Sequence, residues 1–196
     1  GRGVSPRSVS VSVTGARVAS RSRGGHGSAN VASGDIYGEG AMLRLARARN
    51  GRVALGLVAG RFDPPQILLE VERAYFMGDL APGMDSVILY EPGLEVGHVA
   101  VADLVAIRDC IARHEASTTA LSCAQGRSYR GVIVAAEREA QIVARVYTAT
   151  WQGTGELVPE HQVAGSLAEA EARLGVPTLC AEFSALRAGA LSRYSA

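Results

Sequence analysis

The sequence contains no lysine, because all 20 of its basic residues are arginine. The chain therefore cannot supply a lysine for a Schiff base, for a phosphate-binding loop or for general-base catalysis. Cysteine is also scarce: Cys110, Cys123 and Cys180 are widely spaced and form no Cys-x-x-Cys pair. This usage predicts neither a disulfide framework nor a structural metal site, and it favours a reducing, cytoplasmic environment.

Long apolar runs are missing as well. Residues 53–59 and 132–136 are the longest, and both are far shorter than the roughly 20 residues that span a bilayer. Residues 41–176 carry 13 arginines against 16 acidic residues, so this part is mildly acidic. We therefore expect no membrane span and no nucleic-acid partner, since the latter requires a basic face. No phosphate-loop, dinucleotide or serine-hydrolase motif is present, and no cofactor is expected.

What is present is an alternation of strand and helix patterns over residues 53–175, which predicts an α/β fold. Residues 41–46 and 53–57 alternate around Asn50-Gly51, the strongest local signal for a hairpin. Continuous apolar runs at residues 86–90 and 131–136 predict strands buried on both faces. For residues 118–123 the pattern does not decide between a strand and part of a long loop. Residues 162–164 predict a short last strand, and the whole forms a mixed sheet with about four helices.

The helix starts carry capping signals. Asp63 precedes Pro64 and is followed three residues later by Gln66, and Ser166 is followed by Glu169 in the same way. Further helices are predicted over residues 99–114 and 137–151. The first helix would turn Leu68, Val71 and Tyr75 inward and Glu70, Glu72 and Arg73 outward; the third would turn Ile142, Val143, Val146 and Tyr147 inward.

Composition divides the chain into three segments. Residues 1–39 are rich in Gly, Ser and Arg and are expected to be a disordered arm, with an edge strand at residues 9–13 as the alternative. Residues 40–176 form the α/β domain. Residues 177–196 are expected to be a C-terminal helical tail that docks loosely.

The order of these elements resembles the STAS-like domains, the family of anti-sigma-factor antagonists, whose members are largely bacterial. Three stretches carry the resemblance: Val53-Ala-Leu-Gly-Leu-Val-Ala-Gly-Arg-Phe-Asp63, Pro82-Gly83 with Val87-Ile-Leu89, and Gly131-Val-Ile-Val134 with the helix that ends at Gly175. The resemblance implies a regulatory, non-enzymatic protein that binds another protein. It also implies that the loop after the central strand faces the partner.

One departure from the family is specific. The family has a phosphorylatable serine at the start of the helix after its central strand, whereas Ala100-Val-Ala-Asp103 contains no hydroxyl. The phosphorylation switch is therefore expected to be absent. Asp103 would be an ordinary acid at a helix start, with mimicry of the phosphorylated state as the alternative.

The resemblance assigns partner contact to Glu91, Glu95, His98 and Asp103. No catalytic residue, metal ligand or cofactor ligand is predicted. The sequence is compatible with a homodimer. Cys110 and His114 lie four residues apart and share a helix face, but they would supply only half of a zinc site. His26 and His161 have no evident partner.

The sequence is compatible with two alternative functions. The first is a carrier of a small ligand or lipid, similar to SEC14-type domains, with a cavity between the sheet and the helices that carry Tyr75, Phe76, Val146 and Tyr147. Dense packing of protein interiors argues that this space is filled. The second is an enzyme that uses Cys110 or Cys123.

Overall fold

The computed structural model describes residues 41–125, 129–152 and 160–191; the predicted arm at residues 1–39 and its alternative edge strand lie outside these ranges. The fold is α/β as predicted, with five strands and five helices in the described part, where about four helices were expected. In chain order the elements are β1 (Ala41–Arg47), β2 (Val53–Gly60), α1 (Pro64–Met77), β3 (Asp85–Tyr90), α2 (Val101–Gln125), β4 (Arg130–Ala135), α3 (Arg138–Thr150), β5 (Glu160–Ala164), α4 (Leu167–Leu174) and α5 (Leu179–Arg187).

The strands lie side by side in the order in which they occur in the sequence. β1 pairs antiparallel with β2, which confirms the predicted hairpin, and the other three pairs are parallel. Gly51 has a φ of 69°, a left-handed conformation that glycine adopts without strain in the tight turn. The carboxyl ends of β2 to β5 consequently share one edge of the sheet, called the carboxyl edge below.

The sheet is covered on both faces, because side chains alternate between them along each strand. On one face α1, α2 and α3 pack over residues such as Val58, Ile133 and Tyr90. On the other face α4 and α5 pack over Leu55, Val87 and neighbouring residues. This double cover explains why the strands read as continuous apolar runs.

Both predicted caps are confirmed. The Asp63 carboxylate accepts the N–H of Gln66 at 3.2 Å. The Ser166 hydroxyl accepts the N–H of Glu169 at 3.2 Å, and the Glu169 carboxylate in return accepts the N–H of Gly165 at 2.7 Å. These caps fix the starts of α1 and α4 and therefore the loops that border the carboxyl edge.

Two helices differ from their predictions. α2 does not end near His114 but continues to Gln125, so residues 118–123 are helical. The reason is visible in the sequence, because no glycine or proline interrupts it before Gly126. In α3, Ile142 was expected inside but is 53% exposed. The other three residues expected inside do face the core: Tyr147 is buried together with Ala140 and Ala144, and Val143 and Val146 are partly buried against it.

The C-terminal helix also differs from expectation. Leu179 and Phe183 of α5 are fully buried and Leu186 is 4% exposed, so the helix is firmly packed rather than loosely docked. Its apolar residues recur at intervals of four and three, which is the spacing of a helix with one buried face. Within the described ranges, no helix combines the length and the apolar character needed to cross a membrane.

Candidate functional site

The residues predicted to contact a partner lie on or beside the loop between β3 and α2, at the carboxyl edge. This loop is fixed in place by the core beneath it. Leu94 and Val96 are each 5% exposed, and the N–H of Glu91 donates to the carbonyl of Val58 at 2.9 Å. The N–H of Gly93 donates to the carboxylate of Glu137 at 3.0 Å, which ties the loop to the start of α3.

Glu91 is engaged within the chain. Its carboxylate accepts hydrogen bonds from Nε and Nη2 of Arg187 at 2.6 and 3.2 Å. This two-point ion pair fastens the loop to the last turn of α5. Glu91 therefore anchors the loop, a role that sequence reasoning missed because Arg187 is 96 residues away.

Glu95 and His98 lie against the segment that follows β2. The backbone of Glu95 donates to the carbonyl of Gly60 at 2.8 Å and accepts from Phe62 at 2.9 Å, and its side chain is exposed. Nε2 of His98 lies 2.7 Å from the carbonyl of Phe62 and 3.3 Å from Nε of Arg61. The two contacts require opposite tautomers of His98. The shorter one, to the carbonyl of Phe62, requires a hydrogen on Nε2, whereas the one from Arg61 requires a lone pair there. His98 thus donates to the backbone and holds the loop.

Asp103 closes the start of α2. Its carboxylate accepts the N–H of Ala100 at 2.9 Å, the reverse half of a capping box. Val101, in the first turn, is 60% exposed. It stands next to the exposed small residues Gly97, Ala100 and Ala102. The carboxyl edge therefore presents an exposed apolar side chain at the start of α2, directly after an anchored loop that carries Glu95 and His98.

A second polar group, called the Glu72 cluster, joins α1 to α2 and consists of Glu72, Cys110, Arg113 and His114. Glu72 was expected to face solvent, and its side chain is 45% exposed. Its carboxylate accepts from Sγ of Cys110 at 3.3 Å, from Nη2 of Arg113 at 3.0 Å and from Nε2 of His114 at 2.7 Å. The structure confirms that Cys110 and His114 share a helix face. It adds Glu72 as a third side chain of a type that binds metal ions.

The charges in the Glu72 cluster follow from these contacts. The hydrogen bond from His114, followed by those from Cys110 and Arg113, lowers the pKa of Glu72 to about 2. Burial, together with the bond to Glu72, raises the pKa of the Cys110 thiol to about 11. Cys110 is therefore a protonated thiol at neutral pH, which is the opposite of an activated nucleophile.

Tyr75 connects the Glu72 cluster to a buried carboxylate. Its ring stacks on the imidazole of His114 with centroids 4.3 Å apart and planes 8° from parallel. Its hydroxyl donates to Glu115 at 2.6 Å, and the N–H of Gly83 donates to the other oxygen of Glu115 at 2.6 Å. Glu115 is only 5% exposed, and burial raises its pKa. No pattern in the sequence predicts that Glu115 is buried.

The space between the sheet and the first three helices is incompletely filled, contrary to expectation. One cavity of about 90 Å³ has polar groups of Tyr75, Glu115, Tyr129 and His161 in its wall. A second, of about 80 Å³, is lined by apolar and aromatic side chains. The two share six lining residues: Leu45, Val71, Ile88, Ile111, Ile133 and Tyr147.

His161 has aromatic neighbours that the sequence did not reveal. Its ring stacks on Trp151 with centroids 4.8 Å apart and lies edge-on to Tyr147 at 5.8 Å. Trp151 is 4% exposed, so it belongs to the core. A Cβ at Gly131 would lie 2.5 Å from Cδ2 of His161, so only glycine leaves room for this ring. His26 lies outside the described residues.

Comparisons of the chain with protein-family profiles, with curated proteins and with solved structures gave no significant match.

Proposed function

We propose that this chain is a STAS-like regulatory domain that binds another protein through the carboxyl edge of its sheet and without a phosphorylation switch. Elements that carry the resemblance support this proposal: β2 ends at Gly60, α1 begins after Asp63, and β3 follows Pro82-Gly83. The sheet is mixed, with one antiparallel and three parallel pairs. Open α/β sheets commonly bind their ligands at the carboxyl ends of the strands.

The observation that carries the proposal is the exposed Val101 at the start of α2, directly after an anchored loop. Binding surfaces gain affinity when they are held in one conformation before contact, since less conformational entropy is lost. The internal bonds of Glu91, His98 and Asp103 provide this order, so the partner would meet the side chains of Val101 and Glu95. Residues 100–103 offer no hydroxyl that a kinase could modify.

The proposed function is non-enzymatic. A catalytic cysteine acts as a thiolate, and its pKa is lowered by its surroundings. The pKa of Cys110 is raised to about 11 by burial and by its bond to Glu72. This environment favours a structural or ligand role for the thiol over nucleophilic catalysis.

Val101→Glu is expected to weaken partner binding by tenfold or more, because a charge would replace an exposed apolar side chain at the centre of the contact. The partner would first be isolated by affinity purification of the tagged chain from its native host. Its affinity for the variants would then be measured by calorimetry. Glutamate in the first turn of α2 is favourable for the helix, so folding is retained.

The matched control is Phe76→Glu. Phe76 is 88% exposed near the end of α1, at the opposite edge of the sheet from Val101. It should leave the affinity unchanged. The proposal would be refuted if the two variants had equal effects on affinity or if no stoichiometric partner were found. Full binding after joint replacement of His98 and Asp103 would refute it as well.

A second candidate function is the binding of a small apolar ligand in the core, and the two cavities support it. Each volume, about 90 and 80 Å³, is a little more than half of the roughly 150 Å³ of an engineered cavity that binds benzene. They suit a ligand of a few heavy atoms rather than a two-chain lipid. This narrows the carrier hypothesis to small molecules.

Benzene at ten times its dissociation constant is expected to stabilise the protein by about 1.4 kcal/mol through mass action. Val71→Leu adds one methylene to the wall shared by both cavities and should abolish this gain. The measurement is the urea midpoint with and without benzene. An unchanged wild-type midpoint would count against a ligand-binding core.

A further inference from the structure

We propose that Glu72, Cys110 and His114 bind a zinc-like divalent transition-metal ion between α1 and α2. One ligand atom from each of these residues lies within 4.8 Å of the others. Carboxylate oxygen, thiolate sulfur and imidazole nitrogen are the three ligand types that zinc prefers. This inference goes beyond partner binding at the carboxyl edge and does not depend on it.

The two contacts of Glu72 with Cys110 and His114 lie near the spacing of ligand atoms in a tetrahedral site, and all three ligand atoms lie within 4.8 Å of one another. Zinc bonds of about 2.0–2.3 Å place neighbouring ligand atoms about 3.3–3.6 Å apart. Oε1 of Glu72 lies 3.3 Å from Sγ of Cys110, and Oε2 of Glu72 lies 2.7 Å from Nε2 of His114. An ion would therefore need to separate the carboxylate and the imidazole by less than about 1 Å. Glu72 and His114 are partly exposed, so a fourth ligand from solvent can reach the site.

The surroundings hold the ligands in orientation. Cys110 and His114 are four residues apart on one helix, so the backbone of α2 fixes their spacing. Tyr75 stacks on the imidazole of His114, and the hydroxyl of Tyr75 is itself held by the buried Glu115. Support of this kind around the ligands is what distinguishes a metal site from a chance cluster of polar side chains.

Arg113 opposes the ion, because its guanidinium lies 3.0 Å from the carboxylate of Glu72. Its side chain is 67% exposed and can turn into solvent when a cation takes its place. On binding, the thiol of Cys110 loses its proton to water, and His114 coordinates as the neutral imidazole. The metal replaces the hydrogen bonds by which Glu72 now joins the two helices.

Cobalt(II) titration of the full chain tests the proposal. We expect one equivalent to produce visible ligand-field bands and a thiolate-to-cobalt charge-transfer band, and zinc to displace both. Cys110→Ser should remove the charge-transfer band. Glu72→Gln and His114→Gln, which change partly exposed side chains and leave the core intact, should abolish stoichiometric binding. Arg113→Ala should tighten binding a few-fold, since the competing cation is gone.

Cys123→Ser and Cys180→Ser are the matched controls, and both should retain the charge-transfer band. A band that persists in Cys110→Ser would assign the metal to another thiol and overturn the proposal. Binding that is unaffected by Glu72→Gln and by His114→Gln would overturn it as well, as would the lack of any stoichiometric complex in the wild type. In each of these cases the Glu72 cluster is a polar link between two helices.

Discussion

Phe183→Ala is expected to lower the free energy of unfolding by about 3–5 kcal/mol, the usual cost of removing a buried aromatic ring. Phe183 has no exposed surface and packs with Leu179 between α5 and the sheet. A cavity there would also loosen α5 and the ion pair of Arg187 with Glu91. Equilibrium urea denaturation measures the change.

Ser184→Ala provides the control for Phe183→Ala. Ser184 is the next residue on α5 and is exposed, and its hydroxyl donates to the carbonyl of Cys180 within the same helix. Its replacement should change stability by less than about 0.5 kcal/mol. A loss below about 1 kcal/mol for Phe183→Ala would mean that α5 docks loosely after all.

Glu115→Ala is expected to cost about 2–4 kcal/mol, because the hydroxyl of Tyr75 and the N–H of Gly83 would each lose a buried acceptor. Glu115→Gln should cost much less. Its amide oxygen can accept from Gly83, and its amide nitrogen can donate to the hydroxyl of Tyr75. Thermal and urea unfolding of the three proteins measures this ranking. Equal costs for alanine and glutamine would contradict it.

The wild type and Glu115→Gln are also expected to differ in how their stability depends on pH. Burial raises the pKa of Glu115 above its ordinary value of 4.5, so the folded state holds this proton more tightly than the unfolded state. The stability from this group is complete below the ordinary value and is lost as pH rises through the raised pKa. Glu115→Gln lacks this titration. Its stability relative to wild type should therefore increase as pH rises from the ordinary value of 4.5 through the raised pKa. A difference that stays constant over this range would refute the assignment.

Local signals were sufficient for most of the fold. The Asn50-Gly51 turn, the caps at Asp63 and Ser166 and the left-handed glycine that ends α4 each act over a few residues, so they can be read from the sequence. The error at Ile142 arose because packing decides which face of a helix is buried. Ile142 matches an apolar helix pattern, but the direction of α3 over the sheet places Ala140 and Ala144 inside.

The sites were less predictable, because their residues come from distant parts of the chain. The pair of Cys110 and His114 could be seen in the sequence, since both lie on one helix. Glu72, however, reaches them from α1 across 38 residues, and Arg187 reaches Glu91 across 96. No periodicity encodes such contacts. A carboxylate on the outer side of a helix is expected in solvent until the neighbouring helix is known.

The sequential order of the strands has a consequence for the protein during its synthesis. Each strand can pair with its predecessor as soon as it leaves the ribosome, so the sheet and its first helical layer can grow unit by unit. The second face must wait, since α4 and α5 are the last helices in the described part of the chain. Until they emerge, Leu55, Leu57 and Val87 form a bare apolar surface on a nearly complete sheet. An exposed apolar surface of this kind makes partly made chains prone to aggregation at this late stage of translation.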